Sequence, residues 1–307
     1  MAVLNVATDG VSGLPYHRRQ YLLATDGRSL DKTAAIDELR AFLERHPRLF
    51  ALTGAGVSTG SGIPEYRDER GEWKRPAPVQ YQDFVKREHT RQRYWARSLV
   101  GWRWFTRAEP NSCHYTLADW EHSGRIEQLV TQNVDRLHQR AGSQAVIDLH
   151  GRLDRITCLD CGTRIERDGF QQQLIDDNPE FAERTADIAP DGDAYLENVD
   201  FSRFRVPPCP ACGGMLKPDV VFFGETIPKA RVDAAVAALH RADALLVIGS
   251  SLMVYSGFRF CRIAAENDIP IAAINPGRTR ADDLISVKVE RRFEDALPYL
   301  QDAPTGT

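Results

Sequence analysis

Four cysteines fall into two Cys-x-x-Cys pairs, Cys158 with Cys161 and Cys209 with Cys212. Two intervening residues let both thiolates of a hairpin knuckle face one ion, and two knuckles supply the four sulfurs that tetrahedral zinc prefers. Such a set leaves no coordination position for water, so one structural zinc is expected to fold a small module and not to hydrolyse anything. Catalytic groups must be sought elsewhere. The glycine-rich run Gly54-Ala-Gly-Val-Ser-Thr-Gly60 follows directly on the apolar segment Arg48 to Thr53. Glycines at 54 and 56 permit a tight turn and close approach of backbone to a pyrophosphate, and a helix starting there adds positive potential; a purely structural turn would use the same glycines. The third glycine stands at 60, where the dehydrogenase fingerprint wants residue 59, here Thr59, and no acidic residue ends a second strand about 20 residues later, which disfavours hydride transfer. His150, after a short apolar segment and before Gly151, would sit at a strand's C-terminal end, where open α/β sheets gather ligands. An imidazole of ordinary pKa, about 6.5, suits a general base there, as it would suit a satisfied structural histidine.

These groups need a scaffold, and the chain alternates short apolar segments with amphipathic ones. Strands are expected at Arg48 to Thr53, Ile126 to Thr131, Ala145 to Leu149, Ala244 to Gly249, Ile269 to Asn275 and Ile285 to Val289. Helices are expected at Asp31 to His46, with Asp31 as cap, and at Arg91 to Arg107, Ser112 to His122, Lys229 to Arg241 and Ser256 to Asn267. That order predicts an α/β fold, a Rossmann-like doubly wound parallel sheet with an inserted small zinc-binding module. Its expected parts are an N-terminal arm over 1–30, a Rossmann-like domain from 31–151 and 218–307, and the zinc module from 152–217. A helical insertion over 64–110 is expected to contribute to the small domain and to the cofactor loop.

The chain has 307 residues, 42% of them hydrophobic, enough for a sizeable core. Its net charge of −4 offers no field for a polyanion, so nucleic acid is not expected as a partner. No apolar run reaches the roughly 18 residues of a membrane span, and a membrane partner is not expected either. The N-terminus has no apolar core followed by small residues, so a cytoplasmic location is expected, or the mitochondrial matrix if the source is eukaryotic. Six cysteines would make three disulfides only in an oxidising compartment; Cys113 and Cys261, in helical patterns among apolar neighbours, read as small buried hydrophobes. A monomer is expected.

Read in order, several segments resemble the signature segments of the sirtuin family. They are Gly54-Ala-Gly-Val-Ser-Thr-Gly-Ser-Gly-Ile-Pro-Glu-Tyr-Arg67, Thr131-Gln-Asn-Val-Asp-Arg-Leu-His138, His150-Gly151, Lys217-Pro-Asp-Val-Val-Phe-Phe-Gly-Glu225 and Gly249-Ser-Ser251. The likeness spans about Asp31 to Leu300 and looks closest to the class II branch, which includes the mitochondrial sirtuin numbered four. Arg91 to Arg97, Ala189 to Asp193 and Val254 to Phe260 carry that closer likeness.

The resemblance implies an NAD-dependent protein-lysine deacylase, a transferase acting on acyl groups, that spends NAD as a co-substrate. It implies that the acyl oxygen attacks the nicotinamide ribose and expels nicotinamide. His150 then activates the ribose hydroxyls, so that free lysine and O-acyl-ADP-ribose are released. It assigns catalytic roles to His150, Asn133 and Asp135. Asn133 and Asp135 would hold the nicotinamide amide, which needs a donor and an acceptor together, while an Asn-Val-Asp turn capping the next helix is the other reading. Cofactor contacts are implied for Gly54, Ala55, Gly56, Ser58, Ile63, Tyr66, Arg67, Gln132, Gly249, Ser250, Ser251 and Asn275, with Tyr66 standing where many relatives have phenylalanine and Glu65 where aspartate is commoner. Val221 and Phe223 would line an acyl-lysine tunnel, although Val220 to Phe223 also reads as a core strand. Protein substrates would bind as an added strand beside Gly224 and Val254 to Tyr255. Tyr94 and Arg97, three apart on a helix, would face one side. A guanidinium there could pair with the carboxylate of a malonyl, succinyl or glutaryl chain, or simply solvate the helix. The same NAD site would serve a mono-ADP-ribosyltransferase, and a non-catalytic zinc ribbon remains the alternative of another class.

Overall fold

The computed structural model describes residues 32–74, 78–187, 189, 191–196 and 198–301, so the arm expected over 1–30 and the Asp31 cap lie outside the described residues. Nine strands form two sheets among them. The larger holds β1 (Leu49–Thr53), β2 (Ile126–Thr131), β3 (Val146–Asp148), β7 (Ala244–Ile248), β8 (Ile271–Ile274) and β9 (Val287–Val289), in the order β3-β2-β1-β7-β8-β9 with every pair parallel. The predicted doubly wound parallel sheet is present.

Side chains alternate across this sheet as the period of two requires. Leu49 and Ala51 of β1, with Leu246 and Ile248 of β7, enter one core; Phe50 and Leu52, with Leu245 and Val247, enter the other. The first core is closed by α1 (Lys32–Arg45), α4 (Ser112–His122) and α10 (Phe293–Gln301), whose Ile36, Leu39, Phe42, Leu117 and Leu297 are all buried in it. The second is closed by α8 (Lys229–Leu239) and α9 (Tyr255–Glu266) through Ala235, Leu239, Phe260 and Cys261. Asn111 caps α4 by accepting from the Cys113 amide, with His114 bonded back to the Asn111 amide. β1 is buried at all five positions, and it lies beside β7, where the strand order reverses.

The smaller sheet is antiparallel, ordered β5-β4-β6, from β4 (Gly151–Cys158), β5 (Arg164–Glu166) and β6 (Leu216–Val220). The segment Val220 to Phe223, also read as a core strand, therefore splits: Val220 ends β6 in the small sheet, and Val221 to Phe223 leave it as loop. Helices α2 (Tyr81–Lys86), α3 (Glu88–Phe105) and α6 (Arg167–Asp177) pack with this sheet around Phe84, Trp95, Phe170 and Phe204. No helix among the described residues is long and apolar enough to cross a membrane.

Candidate active site and metal centre

At the C-terminal ends of β1 and β7 the chain makes two glycine turns that interlock. Gly56 N–H donates to the Gly249 carbonyl at 2.9 Å and Gly54 N–H to the Ile248 carbonyl at 3.1 Å. A Cβ on Gly54 would stand 2.7 Å from Ser250 Cβ, and one on Gly56 2.9 Å from Gly249 Cα, while Gly249 itself has φ +60°. Any larger residue would force apart the two strand ends whose crevice receives ligands in open α/β sheets. The helix expected after these glycines is instead a seven-residue 3-10 helix, Ala55–Ser61. Three residues per turn suit the tight crossing beside Gly249, and the short element brings less of the dipole that a long α-helix would supply.

From this switch point a cleft of about 550 Å³ runs between the two sheets, a size typical of small-molecule sites. Ala55, Gly56, Ser58, Ile63, Tyr66, Arg67, Gln132, Asn133, Asp135, His150, Gly249, Ser250, Ser251 and Asn275 all line it. Gly54 does not, and acts by its backbone beneath them.

The end of β2 organises the polar floor. Asn133 donates from Nδ2 to the Gly54 carbonyl and to Ser58 Oγ, both at 3.1 Å. Ser58 Oγ donates to Asp135 Oδ2 at 2.7 Å, while Asp135 Oδ1 accepts from the Leu137 amide. Asp135 thus holds the first amide of α5 (Leu137–Arg140), whose N-cap residue is Arg136, and lines the cleft at once. Burial pushes its carboxyl above the ordinary range, opposed by those two hydrogen bonds. Gln132 Oε1 accepts from Ser250 Oγ at 2.6 Å, tying β2 to the turn after β7.

His150 stands two residues past the end of β3 and directly before β4. Its Nδ1 lies 2.9 Å from the Gln132 carbonyl and its Nε2 2.7 Å from Ser256 Oγ. A carbonyl oxygen only accepts, so the proton sits on Nδ1, and Nε2 presents its lone pair to the Ser256 hydroxyl. The half-buried ring faces the cleft, and desolvation pushes its pKa down to about 4, with Arg231 and Arg259 adding to the descent.

The lobe opposite closes over these groups. Arg67 lays its guanidinium 3.8 Å above the Trp73 ring and donates to the Gly71 carbonyl, while Tyr66 and Phe223 meet Trp73 edge-on at 6.1 and 5.7 Å. Val221 N–H donates to the His150 carbonyl, so the loop carrying Val221 and Phe223 is pinned beside this histidine. The carboxylate of Glu225 accepts from buried Lys217 and from the Phe222 amide, holding that loop.

Tyr94 and Arg97 are not brought to the cleft together, as their spacing suggested. Tyr94 lines the cleft, but Arg97 does not; its Nε donates to the Ala194 carbonyl at 2.8 Å, and its charge faces Asp191 and Asp193. The physical reason is desolvation: buried carboxylates on the 189–193 loop need a nearby cation more than a solvent-facing helix does. Asp191, Trp73, Ser256 and Arg259 line the cleft without having been singled out from the sequence. The only sequence signal for Ser256 was its place inside the segment Val254 to Phe260.

The metal centre lies at the far end of the small sheet. Cys158 ends β4, and the turn back to β5 is closed by Cys158 N–H to Thr163 and Gly162 N–H to Cys158; Cys209 to Gly213 repeats the pattern before β6. The four sulfurs lie within 4.8 Å of one another, with Cys158 to Cys212 at 3.6 Å and Cys161 to Cys209 at 3.8 Å. The edge of a zinc–sulfur tetrahedron is about 3.8 Å, from bonds of about 2.3 Å, so the donor set fits zinc.

Comparison with known proteins agrees with this layout. The family model described as Sir2 family matches residues 54–256. A protein of Xanthomonas campestris pv. campestris named NAD-dependent protein deacetylase is 62% identical over 266 residues, covering 87% of this chain and 91% of its own. The Bos taurus protein named NAD-dependent protein lipoamidase sirtuin-4, mitochondrial, is 47% identical over 268 residues, covering 86% and 85%. Among solved structures, a Sir2 complex with a deacetylated p53 peptide and 3′-O-acetyl ADP ribose superposes with a TM-score of 0.70 at 30% identity, covering 87% of this chain and 98% of the other. A Sir2 complex with p53 peptide and NAD+ gives 0.67 at 28%, covering 87% and 97%. The chain belongs to the Sir2, or sirtuin, family.

Proposed function

We propose that this chain is an NAD-dependent protein-lysine deacylase in which His150 accepts a proton from a ribose hydroxyl of the dinucleotide. The observation that carries this reading is the cleft itself. It joins the interlocked glycine turns, the Asn133-Ser58-Asp135 network and the imidazole of His150 to an aromatic wall, so dinucleotide and acyl chain share one space. NAD, when bound, supplies the sugar electrophile and is consumed. Asn133 and Asp135 orient its amide, Gln132 holds ribose hydroxyls, and the Tyr66 and Trp73 wall excludes water from the reacting sugar. Zinc holds the two knuckles at the far end of the small sheet and takes no part in the chemistry. The protein substrate adds as a strand between the loop at Gly224 and Val254 to Tyr255, both of which border the cleft.

Within this class the chain prefers longer acyl groups over acidic ones. Tyr94, Val221, Phe222, Phe223 and Ile63 give an apolar wall, Asp191 places a carboxylate on the cleft, and Arg97 is committed to the Ala194 carbonyl. An acidic acyl group would need Arg97 to leave that carbonyl. The name of the bovine relative, a lipoamidase, supports the longer chain.

The test incubates purified protein with NAD and acetyl-, octanoyl-, lipoyl- and glutaryl-lysine peptides and follows free nicotinamide and O-acyl-ADP-ribose by mass spectrometry. Coupled release of both products supports the deacylase. ADP-ribose transferred to protein without O-acyl-ADP-ribose would overturn it, and glutaryl turnover above lipoyl would overturn the acyl preference.

A further inference from the structure

We propose that Ser256 is a catalytic proton relay: the proton that His150 takes up reaches it through the Ser256 hydroxyl. The proposal rests on the deacylase reading and adds a residue to it. Nδ1 of His150 is committed to the Gln132 carbonyl, and the lone pair on Nε2 is already occupied by Ser256 Oγ at 2.7 Å. A substrate hydroxyl therefore finds the basic nitrogen covered by a hydroxyl whose own lone pairs remain free to accept.

The surroundings put Ser256 beside Gln132, in the corner of the cleft that the deacylase reading gives to the ribose. It is the second residue of α9, and Gly257 beside it packs on the Gln132 carboxamide so closely that a Cβ would stand 2.5 Å from Gln132 Nε2. Gln132, Ser256 and His150 all line the cleft, and Ser250 fixes the carboxamide from the other side. A sugar hydroxyl held by Gln132 is thus within reach of Ser256.

The step balances without a further reactant. The sugar O–H bond breaks as its proton joins Ser256 Oγ, the original serine O–H breaks, and its proton forms the N–H bond at His150 Nε2. Serine ends as a hydroxyl, His150 as imidazolium, and the sugar oxygen keeps the electron pair with which it attacks the acyl carbon. The charged groups facing that imidazolium are Arg231 of α8 and Arg259 of α9, both cationic, so the proton is readily returned along the same hydroxyl.

The experiment compares wild type, Ser256→Ala and the near-isosteric pair Ser256→Thr and Ser256→Val. Nicotinamide exchange into NAD with an acyl peptide reads the step before the base acts; O-acyl-ADP-ribose formation reads the step after it. Loss of the hydroxyl in Ala or Val is expected to slow product formation about 100-fold while exchange persists, and Thr is expected to restore it to within a few-fold. Product formation in mixed light and heavy water is expected to give a curved proton inventory for wild type and Thr, and a straight one for Ala and Val. In the free enzyme, the nitrogen-15 resonance of His150 Nε2 is expected to move toward that of an unbonded imine nitrogen in Ser256→Ala. Full turnover in the Ala or Val variant, an equal loss of exchange and product, or an unmoved resonance overturns the relay. Should Ser256→Ala fail to fold, the Thr and Val pair carries the same comparison. Absence of exchange in wild type would instead strike the deacylase reading.

Discussion

At neutral pH the imidazole of His150 carries no charge, because burial holds its pKa near 4 and the Gln132 carbonyl fixes its proton on Nδ1. A free imidazole would be protonated over half its population below about pH 6.5. Here the neutral, proton-accepting form persists down to about pH 4, so kcat/KM is expected to show no loss between pH 7 and 5.5 attributable to this group, and its acid limb is expected near 4. A limb centred at 6.5 would refute that environment. Replacing the imidazole in His150→Ala is expected to lower O-acyl-ADP-ribose formation by at least about 100-fold with zinc content unchanged, measured by product assay and metal analysis on one preparation. The position of His150 was legible from its place after a short apolar strand, but its partners were not. Ser256 lies 106 residues away, and the carbonyl claiming Arg97 lies 97 residues away; contacts at that separation leave no local periodicity.

Among the elements, β1 shows how much local pattern suffices. Five buried residues bounded by a charged residue and a glycine run read as a central strand, and alternate positions do enter opposite cores. The helix expected after Gly54 did not follow from the same pattern. Whether a glycine turn leads into an α-helix or a 3-10 turn is decided by the neighbour it meets, here the Gly249 backbone, and not by its own spacing. The loop from Val221 to Phe223 was ambiguous for a related cause: an apolar run has the same composition in a core and against a cleft. The crossing of the glycine turns is itself a target. In Gly56→Ala the added Cβ would come within 2.9 Å of Gly249 and must separate β1 from β7. NAD affinity is expected to fall at least about tenfold by calorimetry, with a lowered melting temperature.

For the molecule as a whole, two features outside the cleft lining bear on stability. The knuckles bring together sulfurs from segments about 50 residues apart in sequence, at the end of a small three-stranded sheet. Chelation of zinc is expected to lower the melting temperature by about 10 °C or more and to unfold the small lobe first, as read by hydrogen exchange in β4 and β6. The second feature is a histidine pair beneath the large sheet, His114 and His138, with ring centroids 4.8 Å apart. Burial pushes His114 down to about 4 and His138 well below its ordinary value. The unfolded chain therefore binds protons that the folded chain refuses between about 6.5 and 4, and stability is lost as pH falls through that window. His114 alone accounts for roughly 3 kcal/mol by pH 4; denaturant melts from pH 7 to 4.5 check this, and a flat midpoint refutes it. Trp73 carries a final consequence. Of the chain's tryptophans it alone, among the described residues, borders the cleft, stacked under a guanidinium and flanked by Tyr66 and Phe223. Its indole is a built-in optical gauge, whose ultraviolet emission should change intensity and colour as ligand rearranges that aromatic nest.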